Sequence, residues 1–166
     1  MNLSQVFAQL GFSQKITLDL TLLFVIAFAS FVFGMLIGRY RLITILINLY
    51  VAIAVLSVVS AKILPDYTNR LFLFFGIIVV LTILGKKMFE IPISGSGKGF
   101  LWRVFVMSFL EIMLALSMVL MIVPKKMALG YVSLSAYDYL VLDNAPLFWM
   151  LVPLIFMFLI HKKISR

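Results

Sequence analysis

Long apolar runs separated by short charged clusters dominate this chain. The uncharged or nearly uncharged runs cover residues 20–38, 42–61, 71–85, 104–123 and 145–160. A helix needs about 20 apolar residues to cross a bilayer, where each segment must satisfy its own backbone hydrogen bonds. The pattern therefore predicts an all-α, polytopic membrane protein with about five transmembrane helices, forming a single transmembrane domain over residues 1–166.

The amino-terminal segment has a different pattern. Leu3, Val6, Phe7 and Leu10 follow helical i, i+3, i+4, i+7 spacing among polar residues, which predicts an amphipathic helix lying at the membrane interface. The alternative is a disordered tail. Residues 1–19 lack the pattern of a cleavable signal peptide, so we expect the first apolar run to be a permanent span.

The connections between the runs predict how the helices follow one another. Residues 39–41 form a basic turn so short that the first two helices must make an antiparallel hairpin. Pro65, with Asp66 and Asn69 as capping candidates, marks the start of the third helix. Its uncharged run is short, so Arg70 and Lys86 are expected to reach to the two interfaces.

The last third of the chain is less regular. Residues 127–143 mix apolar, tyrosine, serine and aspartate side chains, which predicts an amphipathic segment at headgroup level, either helical or extended. The final run contains Pro146 and Pro153, so the fifth span is expected to be kinked or tilted.

Charge and composition agree with a membrane location. Apolar residues make up 64% of the chain and charged residues 12%, against about 25% charged residues in soluble domains. The net charge of +8 comes from Lys and Arg clusters that flank the runs, so lipid and not nucleic acid is the expected partner. The chain contains no cysteine, which excludes disulfides and thiolate chemistry.

Counting basic residues on each side of a five-span path predicts the orientation. One side holds nine Lys and Arg residues and the other five, and the positive side faces the cytoplasm. The amino terminus is therefore expected outside and the carboxyl terminus in the cytoplasm. The basic residues expected to contact acidic lipid or a cytoplasmic partner are Arg39, Arg41, Lys86, Lys87 and Lys98.

Glu111 is the candidate functional residue, because it is the one charge inside a predicted span. A charge at the bilayer centre costs about 3 kcal/mol, so such a carboxylate usually faces a cavity or a partner. Two interpretations stay open: contact with a partner protein, an ion or a proton, or structural pairing with Ser108, Asn48 or Arg103. Arg103 lies on nearly the same helix face but about 12 Å away along the axis.

The remaining motifs indicate helix packing or interfacial positions and not a chemical function. Gly34 and Gly38 have the spacing that lets two helices approach closely. GSGKG at 95–99 lacks the first glycine and the final Ser or Thr of a phosphate-binding loop, and the single histidine, His161, fits an interfacial position. No residue pattern indicates a catalytic site, a metal site or a cofactor.

Several of these features together resemble the colicin V production protein family. They are Leu18 and Asp19 opening the first span, GMLIGRYR at 34–41, and the small-residue basic loop ISGSGKGFLWRV at 93–104. The resemblance covers residues 18–124. It implies a non-catalytic, multi-pass protein of the bacterial cytoplasmic (inner) membrane, connected with bacteriocin production and the envelope.

Two functions are consistent with the sequence. The first is a non-enzymatic component that binds partner proteins or assembles with other membrane proteins or with copies of itself, in secretion or in envelope function. The alternative is a small oligomeric channel or transporter in which Glu111 lies in a polar path. An enzyme is not expected, since catalysis would need converging titratable groups and the spans contain one.

Overall fold

The computed structural model describes residues 14–37, 41–59, 62–85 and 100–164, with side chains for residues 19–37, 41–59, 62–85 and 101–159. The predicted amino-terminal amphipathic helix lies outside the described residues. So do five residues singled out from the sequence: Gly38, Arg39, Lys86, Lys87 and Lys98.

The described residues form helices and turns, with no strand among them. The helices are α1 (Gln14–Ile37), α2 (Leu42–Val58), α3 (Tyr67–Leu84), α4 (Phe100–Ile122), α5 (Lys125–Ala128), α6 (Leu134–Val141) and α7 (Ala145–Ile164). The all-α prediction is thus confirmed for this part of the chain.

Three helices are long and apolar enough to cross a membrane: α1, α3 and α4. A fourth span is added if α6 and α7, which meet at a bend of 63°, count as one broken span. Helix α2 is apolar but has only 17 residues, or about 26 Å of rise against a hydrocarbon core of about 30 Å. The membrane prediction is therefore confirmed for three to four spans, and the fifth stays a prediction.

Several helices begin or end away from the predicted span boundaries; α1 begins six residues and α4 four residues before its apolar run. The second helix ends at Val58 and not at residue 61, because Val59 already has an extended backbone. The third begins at Tyr67, four residues before the uncharged run, so Arg70 belongs to its first turn. Asp66 occupies the predicted N-cap position, but its side chain makes no capping hydrogen bond.

The segment from 127 to 143 is helical in two short pieces, which answers the question that the sequence left open. Ser133 caps α6 by accepting a hydrogen bond from the backbone N–H of Ala136 at 3.0 Å. After α6 the chain turns sharply, because Leu142 is extended and Asp143 has a left-handed backbone with φ of 50°. The bend before the last helix lies here and not at Pro153, which α7 contains in its interior.

Helix α4 forms the centre of the bundle. It contacts α1, α2, α3, α6 and α7, and half of its membrane-spanning window is buried, against 17% for α1 and 6% for α3. Its buried Val104, Met107, Leu114 and Met118 belong to one core cluster together with residues of α2 and α3. Helices α1 and α7 bury one face on α4, whereas α3 packs mainly on α2, and all three leave the opposite face apolar and exposed.

Long helices that follow one another along the chain run in opposite directions, which gives the bundle two distinct ends. Gly34, near the carboxyl end of α1, lies against Val104, near the amino end of α4. Gly85, just after α3, lies near Thr44 in the first turn of α2. We call this the Arg41 end, after the residue that precedes α2; the opposite end, with the start of α3 and with α5 and α6, is the Arg70 end.

Candidate functional site

The Glu111 side chain lies inside the bundle. It is only 2% exposed, although it is the one charged residue of α4 beyond Arg103. Met107 and Leu114, one turn before and after it on the same helix face, belong to the core cluster that α4 shares with α2 and α3. Glu111 therefore faces neighbouring helices of its own chain and not lipid.

Neither carboxylate oxygen of Glu111 has a hydrogen-bond partner among the described residues. The pairings that the sequence suggested are absent from this part of the chain. Asn48 donates instead to the Thr82 hydroxyl at 3.0 Å, and Ser108 donates to the carbonyl oxygen of Val104 at 2.8 Å. Arg103 is half-buried and forms no ion pair with Glu111.

Other buried polar side chains lie at a similar depth in the bundle. Leu56 and Met118 line the same groove near the Arg70 end. Asn48 lies eight residues before Leu56 in α2, or about 12 Å closer to the Arg41 end. Glu111 lies seven residues before Met118 in α4, or about 10 Å closer to the same end. Asn48 and Glu111 therefore occupy neighbouring levels on adjacent helices.

Helix α1 contributes to the same level. Its Ile26 lines a groove together with Met113, and its Gly34 touches Ser108. Ser30 lies midway between Ile26 and Gly34, which places it opposite the stretch of α4 that contains Glu111. We call this set the polar layer: Ser30, Asn48, Thr82, Ser108 and Glu111.

Within the polar layer, the hydroxyl and amide groups form hydrogen bonds, whereas the Glu111 carboxylate forms none with the described residues. Ser30 donates to the carbonyl oxygen of Ile26 at 2.6 Å, one turn earlier in its own helix, as Ser and Thr commonly do inside helices. A carboxylate lacks a donor when ionised, and leaving its charge unpaired in this interior is costly. Glu111 therefore needs a bound proton, a cation or a donor brought by another molecule.

No groove described in the structure reaches Glu111. Three grooves, of about 360, 260 and 180 Å³, lie towards the Arg70 end, and none is lined by Glu111, Asn48 or Ser30. A continuous polar path needs several lining groups in succession. One copy of the described chain therefore provides a polar layer that none of these three grooves reaches.

Gly34 allows the close approach of α1 to α4 beside this layer. A Cβ atom on Gly34 would lie 2.5 Å from the Ser108 Oγ and 3.2 Å from a methyl group of Val104. Gly76, by contrast, has nothing within 4 Å of the same position. Close helix packing thus requires a glycine at position 34 but not at position 76.

A second set of polar contacts fixes α6 at the Arg70 end. The Ser133 hydroxyl donates to the Asp19 carboxylate, the Ser117 hydroxyl donates to the carbonyl oxygen of Leu140 at 2.6 Å, and the Trp149 indole N–H donates to the carbonyl oxygen of Tyr139 at 3.1 Å. Sequence reasoning gave none of these contacts a role. The available signal was Ser133 before a short apolar stretch, which is typical of an N-cap.

A metal site in the described part of the chain would need a group of His, Cys, Asp or Glu side chains. No three His, Cys, Asp or Glu residues there are grouped so as to hold a metal ion. No family model, curated protein or solved structure matches this chain. Any function must therefore be argued from the geometry around α4 and Glu111.

Proposed function

We propose that this chain is a non-enzymatic integral membrane protein that acts as a partner-binding or assembly component. The observation that carries the proposal is the inward position of the polar layer: Glu111 is buried within one chain, and no described groove leads to it. A buried polar group favours one particular packing, because its partners must come from specified positions. The polar layer thus serves the packing of one bundle and leaves contacts with partners to its outer faces.

The outer faces of the bundle support the same proposal. Helices α1, α3 and α7 expose large apolar side chains, including Phe28 at 63%, Phe72 at 74% and Phe158 at 67%. Lipid covers such faces in the simplest case, and helices of other membrane proteins cover them equally well. These faces are therefore where we place contacts with a partner or with a second copy.

The location and orientation in the membrane are part of the proposal. The resemblance to colicin V production proteins supports the bacterial cytoplasmic membrane and a role in secretion or the envelope. The charge asymmetry of the whole sequence, with nine Lys and Arg residues on one side of the predicted five-span path and five on the other, supports a cytoplasmic Arg41 end. The amino terminus would then be outside and the carboxyl terminus in the cytoplasm.

A flux measurement separates this function from conduction. Purified protein is reconstituted into vesicles that contain a pH-sensitive or potassium-sensitive dye, and ion entry is followed under an imposed potential. The proposal predicts that wild-type protein and Glu111→Gln give the leak of empty vesicles. A flux that the wild-type protein supports and that Glu111→Gln abolishes would contradict it.

The second candidate is a small oligomeric channel or transporter, and one observation favours it. The Glu111 carboxylate has no partner among the described residues, and an ionisable group inside a membrane often marks an ion or proton pathway. Several copies would build the path between them, since none of the three grooves described in one copy reaches Glu111. The same flux measurement tests this candidate, with the opposite expected result.

Site-directed cross-linking tests for a protein partner. A photoreactive residue replaces Phe72 on the exposed face of α3 or, as the matched control, Phe74 on its buried face. The proposal predicts a discrete cross-linked protein product from position 72 in living cells and none from position 74. Cross-links to lipid alone from the exposed faces of α1, α3 and α7 would remove the support for a partner.

A further inference from the structure

An unpartnered arginine lines an apolar groove at the Arg70 end of the bundle. The groove has a volume of about 180 Å³ and lies where the end of α2, the start of α3 and the end of α4 meet. Its lining residues include Ile53, Leu56, Arg70, Phe74, Met118 and Met121. We call it the Arg70 groove, and its composition is that of a cleft for a chain-like apolar molecule with one charged end.

The Arg70 side chain has no partner to neutralise it within the described residues. Its Nε atom is buried without a hydrogen-bond partner, although a guanidinium presents five donors. The backbone N–H of Arg70 bonds to the carbonyl oxygen of Asp66 at 3.2 Å, but the Asp66 carboxylate is exposed and forms no ion pair with the guanidinium. The N–H donors of the Arg70 guanidinium are thus available to a ligand.

The charges around the groove favour an anion. Helix α2 carries no charged residue, and Arg70 is the one charged residue among the described residues that line the groove. Lys62 also lies in the turn before α3, where Asp66 is the one acidic residue. Arginine binds phosphate oxygens through paired, charge-assisted hydrogen bonds. An anionic phosphate-bearing group is therefore the chemical complement of the polar end of the groove.

We propose that the Arg70 groove holds one anionic phospholipid. The guanidinium contacts the headgroup phosphate, and an acyl chain lies along Leu56, Phe74 and Met118. Arg70 is in the first turn of an apolar helix of spanning length, which places its charge at headgroup depth and the apolar lining at acyl-chain depth. This site is independent of the proposed assembly function and of Glu111.

The test is lipid retention by the full-length protein in native mass spectrometry. Detergent-solubilised protein is titrated with phosphatidylglycerol, and the fraction that carries one lipid is measured. Arg70→Gln is expected to weaken binding of the first lipid about tenfold, because it removes the charge-assisted hydrogen bonds. Lys126→Gln, which removes an exposed cation at the same end, is the matched control and should leave the binding of the first lipid unchanged.

A second variant tests the apolar part of the site without touching the cation. Met121 lies on the rim of the groove and is 62% exposed, so Met121→Trp fills the groove from outside and leaves the core intact. It should also weaken phosphatidylglycerol binding while the melting temperature of the lipid-free protein stays at the wild-type value. Normal binding by Met121→Trp would contradict the proposed acyl-chain position.

Two further titrations, with phosphatidylcholine and with inorganic phosphate, identify the ligand. Phosphatidylcholine, whose headgroup has no net charge, should be retained less than phosphatidylglycerol, and inorganic phosphate should not displace the bound lipid. Displacement by inorganic phosphate would show a phosphate site and overturn the lipid assignment. Equal losses in Arg70→Gln and Lys126→Gln, or no loss in either, would show only unspecific lipid around the protein and would also overturn the proposal.

Discussion

The contact between Gly34 and Ser108 gives the sharpest test of how α1 packs on α4. An alanine at position 34 would place its Cβ atom 2.5 Å from the Ser108 Oγ, and real Cβ atoms do not approach other atoms so closely. Ser108 must then rotate and lose its hydrogen bond to Val104, or the helices must separate. We therefore expect Gly34→Ala to destabilise the bundle.

The size of the effect follows from two opposing contributions. Forcing a methyl group into a packed contact costs about 1–3 kcal/mol, while replacing a helical glycine by alanine contributes about 0.8–1 kcal/mol in favour of folding. The net expected loss for Gly34→Ala is about 0–2 kcal/mol. Gly76→Ala keeps the favourable contribution and has no contact within 4 Å to offset it, so it should be at least as stable as the wild-type protein.

The assay is thermal unfolding of purified protein in one detergent, followed by loss of the monodisperse peak in size-exclusion chromatography. A difference of about 2 kcal/mol between the two alanine variants corresponds to about 4–8 °C for a chain of this size. Equal melting temperatures for Gly34→Ala and Gly76→Ala would refute the close approach of α1 and α4.

A double variant identifies the clashing atom. Ser108→Ala removes the Oγ and leaves a Cβ atom 3.4 Å from the new methyl group, which is an ordinary contact. The double variant Gly34→Ala/Ser108→Ala should therefore recover about 1 kcal/mol relative to Gly34→Ala, a coupling typical of residues in contact. Strictly additive losses would show that the clash lies elsewhere.

Three further predictions concern contacts that hold α6 and α7 on the bundle. Ser133→Ala removes both the N-cap of α6 and the contact to α1, and should lower the free energy of unfolding by about 1 kcal/mol, while the exposed Ser135→Ala should leave it unchanged. Ser117→Ala leaves the buried carbonyl of Leu140 without its donor, and a loss of about 1–3 kcal/mol is expected. Tyr50→Phe removes the bond to a backbone carbonyl of α7 and should cost about 0.5–1.5 kcal/mol. Denaturant-dependent unfolding in mixed micelles measures all three, and a full-sized loss in the Ser135→Ala control would invalidate the comparison.

The apolar runs were sufficient to predict the long helices because hydropathy alone decides insertion. Helices α1, α3 and α4 cover most of the first, third and fourth runs but begin six, four and four residues before them. The first turn of α3 contains Asn69 and Arg70, which are polar yet helical, so its start was marked by Pro65 and Asp66 and not by the apolar run. A boundary read from hydropathy marks where the apolar stretch begins and not where the backbone becomes helical.

The bend between α6 and α7 was not predictable from the residues at which it occurs. Glycine or proline usually signals such a break, whereas here Leu142 is extended and Asp143 adopts the left-handed conformation. Aspartate tolerates that conformation, but many aspartates in turns do not adopt it. Helix α6, which ends at this turn, packs against α4.

The surroundings of Glu111 were only partly accessible to sequence reasoning. The sequence singled out the residue because a lone charge in an apolar run is conspicuous. It could not supply the partners, since spacing along α4 relates Glu111 only to residues of its own helix, such as Arg103 and Ser108. Whether Asn48 turns towards Glu111 or towards Thr82 depends on the packing of α2 against α3, and the structure shows the contact with Thr82.

The central claim is that the polar layer is closed to water, and thiol labelling tests it most directly. The chain contains no cysteine, so Ser30→Cys and Ser108→Cys each introduce a single thiol at a fully buried position, and Ser135→Cys introduces one at an exposed position. In native membranes, a charged methanethiosulfonate reagent should modify the variant at 135 and leave those at 30 and 108 unmodified until the protein is denatured. Rapid labelling at 30 or 108 in the folded protein would show a water path to Glu111 and would contradict the assembly function in favour of conduction.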